Sequence, residues 1–167
     1  MPYSYSKHDN KVEDYIKSNK DIKTIIDFGA GAGKYGKIIK KINNNIKVIA
    51  VEVWEENIHR FNLSSVYDEI ICGDLKNIEW KEADLAIFGD VIEHFYKEDS
   101  LKIIDRVKRK YKKIIIVIPI GLFEQGAFEG NPFEEHKSTW EFEELCELLS
   151  EFDIKERKGR IGLFIKK

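Results

Sequence analysis

Short apolar runs alternate along the chain with stretches in which apolar residues recur at helical spacing. Each run has the length of a buried strand, and each stretch between two runs is long enough for one helical crossover. The predicted strands are residues 24–28, 47–53, 69–72, 85–88 and 113–119, and the predicted helices are residues 34–41, 55–62 and 100–110. This alternation predicts an α/β fold with a doubly wound, mostly parallel sheet and helices on both of its faces.

The pattern changes after the fifth predicted strand. Residues 120–137 form a loop rich in glycine and proline. Ser138 and Glu141 then have the spacing of a capping box, which predicts a helix through about Leu149. Two alternating segments, 152–157 and 160–165, predict a closing antiparallel hairpin.

Composition and charge exclude several classes of protein. The 167 residues are 43% hydrophobic and 35% charged, a balance typical of a soluble globular protein, so we expect one domain over residues 1–167. The net charge of −2 provides no overall attraction to nucleic acid. Cys72 and Cys146 lack the spacing of a metal site, and no metal is predicted. The N-terminal residues 1–8 do not resemble a signal peptide, so we expect a cytoplasmic protein without a membrane contact.

Glycines cluster where the first predicted strand passes into a helix. Gly29, Gly31 and Gly33 follow Asp27 at alternate positions, and such a loop lets a ligand approach the N–H groups at the helix start. The spacing does not fit a phosphate-binding P-loop, which needs four residues between its glycines and a Ser or Thr after its lysine. A dinucleotide fingerprint would place its third small residue at Lys34, so that pattern is broken as well.

The pattern Asp-x-Gly-x-Gly-x-Gly at residues 27–33 resembles the first motif of the class I, Rossmann-like, S-adenosylmethionine-dependent methyltransferases. The chemistry agrees, because S-adenosylmethionine has an ammonium and a sulfonium group near the position of the Asp27 carboxylate. The resemblance implies that Asp27, Gly29, Gly31 and Gly33 bind this cofactor. It also implies a seven-stranded sheet in which the C-terminal hairpin reverses the last strand.

Acidic residues follow the ends of the next three predicted strands. Glu52 ends the second strand, where a carboxylate binds the ribose hydroxyls in open α/β sheets. In the resembled family Trp54 would lie beside the adenine, and a core position is the alternative. The resemblance implies that Asp74 accepts a hydrogen bond from the adenine amino group and that the backbone N–H of Leu75 faces the adenine ring. An ordinary turn aspartate is the alternative for Asp74. Asp90 would lie near the methionine end of the cofactor.

Two histidines are candidates for the substrate side. His94 follows Asp90 and Glu93 in a turn that resembles the fourth motif of the small-molecule branch of the family. His136, near the end of the 120–137 loop, resembles a histidine that many small-molecule members have at this place. We expect this loop to be the chief substrate-side element, with His136 or His94 as catalytic base where the acceptor needs one. A structural role is the alternative for each histidine.

The resemblance implies transfer of a methyl group from S-adenosylmethionine to an O or N atom of a small-molecule acceptor by in-line displacement. The sequence leaves two alternatives open, an NAD-dependent oxidoreductase and a non-catalytic subunit that binds a cofactor or a partner. A nucleic-acid or protein acceptor and a homo-oligomer also stay open.

Overall fold

The structure, a computed structural model, describes residues 5–167. The N-terminal segment 1–8, which we expect not to be a signal peptide, therefore lies partly outside the described residues. Within residues 5–167, no helix is both long enough and apolar enough to cross a bilayer.

Strands and helices alternate through the described part of the chain. The strands are β1 (Thr24–Phe28), β2 (Lys47–Glu52), β3 (Glu69–Cys72), β4 (Leu85–Gly89), β5 (Lys113–Pro119), β6 (Ile154–Lys158) and β7 (Ile161–Lys166). The helices are α1 (Asp9–Ser18), α2 (Lys34–Ile42), α3 (Glu55–Arg60), α4 (Lys97–Lys110) and α5 (Phe142–Leu148). Short 3-10 turns cover Leu63–Ser65, Ile92–His94 and Pro132–Glu134. Each element predicted from the sequence is present, whereas α1 was not predicted.

The strands form one sheet in the order β3-β2-β1-β4-β5-β7-β6. β1 to β5 are parallel, β7 runs antiparallel to β5, and β6 pairs antiparallel with β7 at the sheet edge. The predicted doubly wound, mostly parallel seven-stranded sheet with a C-terminal hairpin is confirmed. Because β1 lies between β2 and β4, the crossovers diverge there, and a crevice opens at the carboxyl ends of these strands.

Alternate residues of the sheet belong to two cores, one on each face. In β1, Ile26 and Phe28 pack with buried residues of α4 and α5, such as Ile103 and Leu145. Ile25 points to the other face, where residues of α1 and α2 cover it. Helices on both faces thus bury the sheet, as the near-continuous apolar strands require.

The start of α5 differs from the prediction. The helix begins at Phe142, and the preceding Glu141 makes no side-chain capping bond. The hydroxyl of Ser138 instead lies 3.4 Å from the carbonyl oxygen of Glu93 and accepts a hydrogen bond from Nε1 of Trp140 at 2.9 Å. The predicted capping box is wrong, because this segment is bound to the turn after β4 and becomes helical only later.

Gly89, at the end of β4, lies against the buried ring of Tyr35 in α2. A β-carbon at Gly89 would lie 2.0 Å from Cε2 of Tyr35. We therefore expect Gly89→Ala to lower the free energy of unfolding by about 1–3 kcal/mol, the usual cost of overpacking a core. Urea denaturation measures this change. Gly126→Ala is the control, since nothing lies within 4 Å of its added carbon, and equal stability of the two variants would contradict the packing described.

Candidate functional site

A cavity opens at the carboxyl edge of the sheet, where β1 and β4 lie side by side. Of the residues predicted from the sequence, its wall contains Gly29, Gly31, Glu52, Asp74, Leu75, Asp90 and His94. The wall does not include Asp27, Gly33, Trp54 and His136. The predicted 120–137 loop contributes Asn131, Phe133, Glu134 and Lys137 to the wall. The wall also includes residues that sequence reasoning missed, among them Lys76, Phe95, Tyr96 and Asp99.

The glycine loop joins β1 to α2 in a conformation that favours glycine. Gly29, Gly31 and Gly33 have φ angles of 70°, 50° and 76°, all in the left-handed region. A β-carbon at Gly29 would lie 2.5 Å from a methyl group of Val91. The N–H of Gly29 donates to the carbonyl of Val51 at 2.8 Å, so the loop is bound to β2. Because Gly29 and Gly31 are part of the cavity wall, the backbone of this loop lies directly against the cavity.

Glu52 fastens this loop to the end of β2. Its carboxylate, in a residue only 4% exposed, accepts the N–H of Gly31 at 2.7 Å and the N–H of Trp54 at 2.9 Å. Burial raises the pKa of Glu52, and these backbone hydrogen bonds partly oppose the rise. Glu52 thus both shapes the loop and presents an acid to the cavity.

Trp54 lies beside the cavity, and its place next to the adenine stays a prediction. Its side chain is partly exposed, so it is outside the core, and it is outside the cavity wall as well. Its ring packs against that of Phe133, at a centroid distance of 6.1 Å. Trp54 therefore supports the loop residue that forms the rim of the cavity.

Asp27 lies behind the glycine loop. The residue is 1% exposed, its Oδ2 accepts a 2.6 Å hydrogen bond from the hydroxyl of Tyr67, and its Oδ1 is buried with no partner among the described residues. Burial raises the pKa of Asp27 to about 7, against the lowering effect of the Tyr67 bond, and the nearby Glu52 adds to the rise. Asp27 is thus a buried acid close to its titration point at neutral pH.

Asp74 has the turn role and also lies in the cavity wall. Its Oδ1 accepts the N–H of Lys76 at 2.9 Å, and its neighbour Leu75 is buried. The ammonium of Lys76 lies 3.2 Å from Oδ2 of Asp99 and 3.9 Å from Oδ2 of Asp74. The two predictions for Asp74 are therefore compatible with one another.

Asp90 adopts a left-handed backbone conformation, with φ 55°. Such a conformation is uncommon outside glycine and is often found at functional sites. Oδ2 of Asp90 accepts the N–H of Tyr5 at 3.1 Å, and the carbonyl of Tyr5 accepts a 2.6 Å hydrogen bond from Lys34. Lys34 also pairs with Asp9 at 2.5 Å. The start of the described chain is thus fastened across the cavity edge, which sequence reasoning missed.

The two candidate histidines meet beside the cavity. Their ring centroids are 4.9 Å apart at an angle of 73°. Nδ1 of His94 lies 3.2 Å from the carbonyl oxygen of Glu135, and Nδ1 of His136 lies 2.7 Å from that of Phe123. Burial lowers the pKa of His94 to about 4, and burial also lowers the pKa of His136. Both imidazoles are therefore neutral at pH 7.

Glu93 lies beneath these histidines. It is 1% exposed, and neither carboxylate oxygen has a hydrogen-bond partner among residues 5–167. Burial raises its pKa well above the usual range, and the neighbouring Asp90 adds to this effect. The carbonyl of Glu93 accepts the N–H groups of Lys137 and Ser138 at 2.8 and 3.0 Å. These bonds hold the 120–137 loop against the turn, so that His136 reaches His94.

Acidic side chains outnumber basic ones around the cavity. The carboxylates are those of Glu52, Asp74, Asp90, Asp99 and Glu134, and the ammonium groups are those of Lys76 and Lys137. A cavity wall with this composition favours a cationic ligand over an anionic one.

Asp27 makes the free energy of unfolding depend on pH. Its pKa is 3.8 in its ordinary state and about 7 in the fold, so the folded protein binds more protons between these values. Stability therefore falls as the pH rises through this window. Relative to Asp27→Asn, which does not titrate, we expect the wild type to lose about 3–4 kcal/mol between about pH 4 and pH 7.5. Urea denaturation of both proteins measures this, and parallel pH profiles would contradict a buried, raised Asp27.

Solved structures similar in fold include methyltransferases from several sources. The N-terminal domain of EvdMO1 with S-adenosylhomocysteine (SAH) bound is 11% identical, with a TM-score of 0.69 over 97% of this chain and 80% of that one. The plantazolicin methyltransferase BpumL in complex with SAH is 20% identical, with a TM-score of 0.66 over 85% of this chain and 60% of that one. The mitomycin 7-O-methyltransferase MmcR is 14% identical, with a TM-score of 0.66 over 96% of this chain. The chain spans about half of MmcR, 53% of its length.

At these identities the structural likeness establishes the fold. A search of curated proteins gave no significant match. The family model described as "Methyltransferase domain" matches residues 26–116, which is more than half of the chain and includes the glycine loop, Glu52, Asp74 and Asp90. The chain therefore belongs to this family of S-adenosylmethionine-dependent methyltransferase domains.

Proposed function

We propose that this chain, as a single domain over residues 1–167, transfers the methyl group of S-adenosylmethionine to an O or N atom of a small molecule. The observation that supports this most strongly is the acid-lined cavity at the carboxyl edge of the sheet, with the glycine loop and Glu52 in its wall. Membership of the methyltransferase family agrees with it. The fold shared with domains crystallised with SAH agrees as well.

The residues of the cavity fit this cofactor. In the proposed arrangement the ribose hydroxyls bind the carboxylate of Glu52, and the adenine lies by Asp74 and Leu75. The methionine end extends along Gly29 and Gly31 toward Asp90. The sulfonium and ammonium groups are then surrounded by carboxylates, whereas the pyrophosphate of NAD would bring two negative charges into the same acidic wall. The cavity thus supports the methyl donor over the nicotinamide alternative.

The acceptor side is the end of the cavity near His94, where Lys137 and the exposed Tyr96 also contribute to the wall. MmcR is named for methylation of an oxygen of mitomycin, a small molecule. We extend that acceptor class to this chain because the 120–137 loop covers the cavity with Asn131, Phe133 and Glu134. Such a cover suits an acceptor that fits beneath a loop.

The proposed chemistry needs little from the protein besides alignment and exclusion of water. A lone pair of the acceptor atom forms a bond to the methyl carbon while the carbon–sulfur bond breaks, and its electron pair stays on sulfur to give the neutral thioether. Where the acceptor is a hydroxyl, its proton must leave. His94 and His136 are the proposed catalytic groups at this step. His136 uses Nδ1 for the carbonyl of Phe123 and therefore has Nε2 as its accepting nitrogen.

We place the protein in the cytoplasm. Cys72 and Cys146 are both free thiols, and Cys72 is exposed. Unpaired, accessible thiols fit a reducing compartment.

Calorimetric titration tests the proposed cofactor and the role of Glu52 together. We expect S-adenosylmethionine and SAH to bind the wild type and NAD not to bind. Glu52→Gln should weaken the affinity for S-adenosylmethionine and for SAH by about 10- to 100-fold, the usual effect of losing hydrogen bonds to a charged group. The amide still accepts one backbone N–H, so the fold should survive.

Glu55→Gln is the matched control, because Glu55 is an exposed acid in the first turn of α3. Its affinity for the methyl donor should equal that of the wild type. Binding of NAD without binding of S-adenosylmethionine would refute the proposed function. Unchanged affinity in folded Glu52→Gln would remove Glu52 from the ribose site.

A further inference from the structure

Three potential metal ligands converge beside the cavity, and one of them, His94, is part of its wall. Glu93 and His94 lie in the short turn Ile92–His94 after β4, and His136 comes from the 120–137 loop. One carboxylate oxygen of Glu93 and one ring nitrogen of each histidine lie within 4.8 Å of one another. We call these three residues the EHH cluster. The spacing of the cysteines predicted no metal site, and this cluster contains no cysteine.

Glu93 is the residue that most needs a partner. Its carboxylate is fully buried, and neither oxygen accepts a hydrogen bond from the residues that the structure describes. Buried carboxylates in proteins are paired with a cation or coordinate a metal. The site therefore has the electrostatic character of one built for a cation.

The histidines are held as metal-binding histidines usually are. Nδ1 of each ring contacts a backbone carbonyl, that of Glu135 for His94 and that of Phe123 for His136. For His136 this contact fixes the tautomer with the proton on Nδ1 and leaves the lone pair on Nε2 for a ligand. The ring of His94 also has the carbonyl of Asp90 as a hydrogen-bond partner. The folded loop holds the carbonyls of Glu135 and Phe123 in place, because the N–H of His136 donates to the backbone carbonyl of Gln125 at 2.9 Å.

We propose that Glu93, His94 and His136 bind a divalent transition-metal ion that holds the acceptor oxygen for methyl transfer. This inference rests on the proposed function. Two imidazoles and one carboxylate suit Mn²⁺, Fe²⁺, Co²⁺ or Zn²⁺, whereas Mg²⁺ and Ca²⁺ prefer a shell of oxygens. Bonds of about 2.0–2.2 Å require the three side chains to close by roughly 1 Å. Three protein ligands leave coordination positions for an acceptor.

An ion held by the three residues would lie next to the cavity, because His94 is part of the cavity wall. An acceptor hydroxyl bound to the ion loses its proton to solvent more readily, since the cation stabilises the resulting alkoxide. The oxygen lone pair then forms the carbon–oxygen bond, and the electron pair of the broken carbon–sulfur bond stays on sulfur. The metal keeps its oxidation state, and the histidines act as ligands instead of bases.

Manganese binding to untagged, chelator-treated protein tests the site without any acceptor. Electron paramagnetic resonance of free Mn²⁺ should show one saturable site per chain in the wild type. Glu93→Gln and His136→Gln should each weaken binding by about 100-fold or more, since loss of even an outer partner of a metal ligand costs 10- to 100-fold. His59→Gln is the control, as this histidine lies on the surface of α3, and it should bind as the wild type does.

Calorimetry with S-adenosylmethionine separates the two proposals. Glu93→Gln should bind this methyl donor with wild-type affinity while losing Mn²⁺, and that result supports the metal site. Absence of saturable Mn²⁺ and Zn²⁺ binding by the wild type overturns the metal proposal and leaves the proposed function intact. Mn²⁺ binding that persists in both Glu93→Gln and His136→Gln also overturns the metal proposal. Turnover that is unchanged in the metal-free protein does so as well.

Discussion

Because β1 lies between β2 and β4, the sheet leaves a crevice at the carboxyl ends of these strands, and the chain has to hold that crevice open. The carboxylate of Glu52 does so by accepting the N–H groups of Gly31 and Trp54, which joins the loop after β1 to the end of β2. The left-handed glycines then place backbone against the cavity, and α2 begins directly behind them.

Buried acids without full compensation are the electrostatic signature of this edge of the sheet. Asp27, Glu52 and Glu93 are buried, and burial raises the pKa of each because it disfavours the charged carboxylate. Strain of this kind is typical of functional sites, where a ligand supplies what the fold lacks. A cationic methyl donor beside the glycine loop would do so for Asp27 and Glu52. The metal proposal rests on a different observation, the convergence of the ligand atoms of the EHH cluster beside the same cavity.

The fold was predictable from the sequence because the alternation of strands and helices is a local property, visible as short apolar runs separated by stretches with helical spacing. The glycine loop and Glu52 were predictable for the same reason, since their roles follow from position at a strand end. The contact between Tyr5 and Asp90 and the meeting of His94 with His136 depend on how distant segments fold back. The Ser138 capping box failed for that reason too, because bonds to the carbonyl of Glu93 outweigh a local helix signal. The amphipathic spacing of Val12, Tyr15 and Ile16 would have revealed α1.

The central claim is that the glycine loop, Glu52 and the acidic wall together form a binding site for the methyl donor, with its sulfur directed at the EHH cluster. A crystal structure of the protein with SAH tests this most directly. We expect density in the cavity, with the ribose hydroxyls on Glu52, the adenine by Asp74 and Leu75, and the sulfur nearer to His94 than the ribose is. SAH bound outside this cavity, or bound with its ribose away from Glu52, would contradict the account.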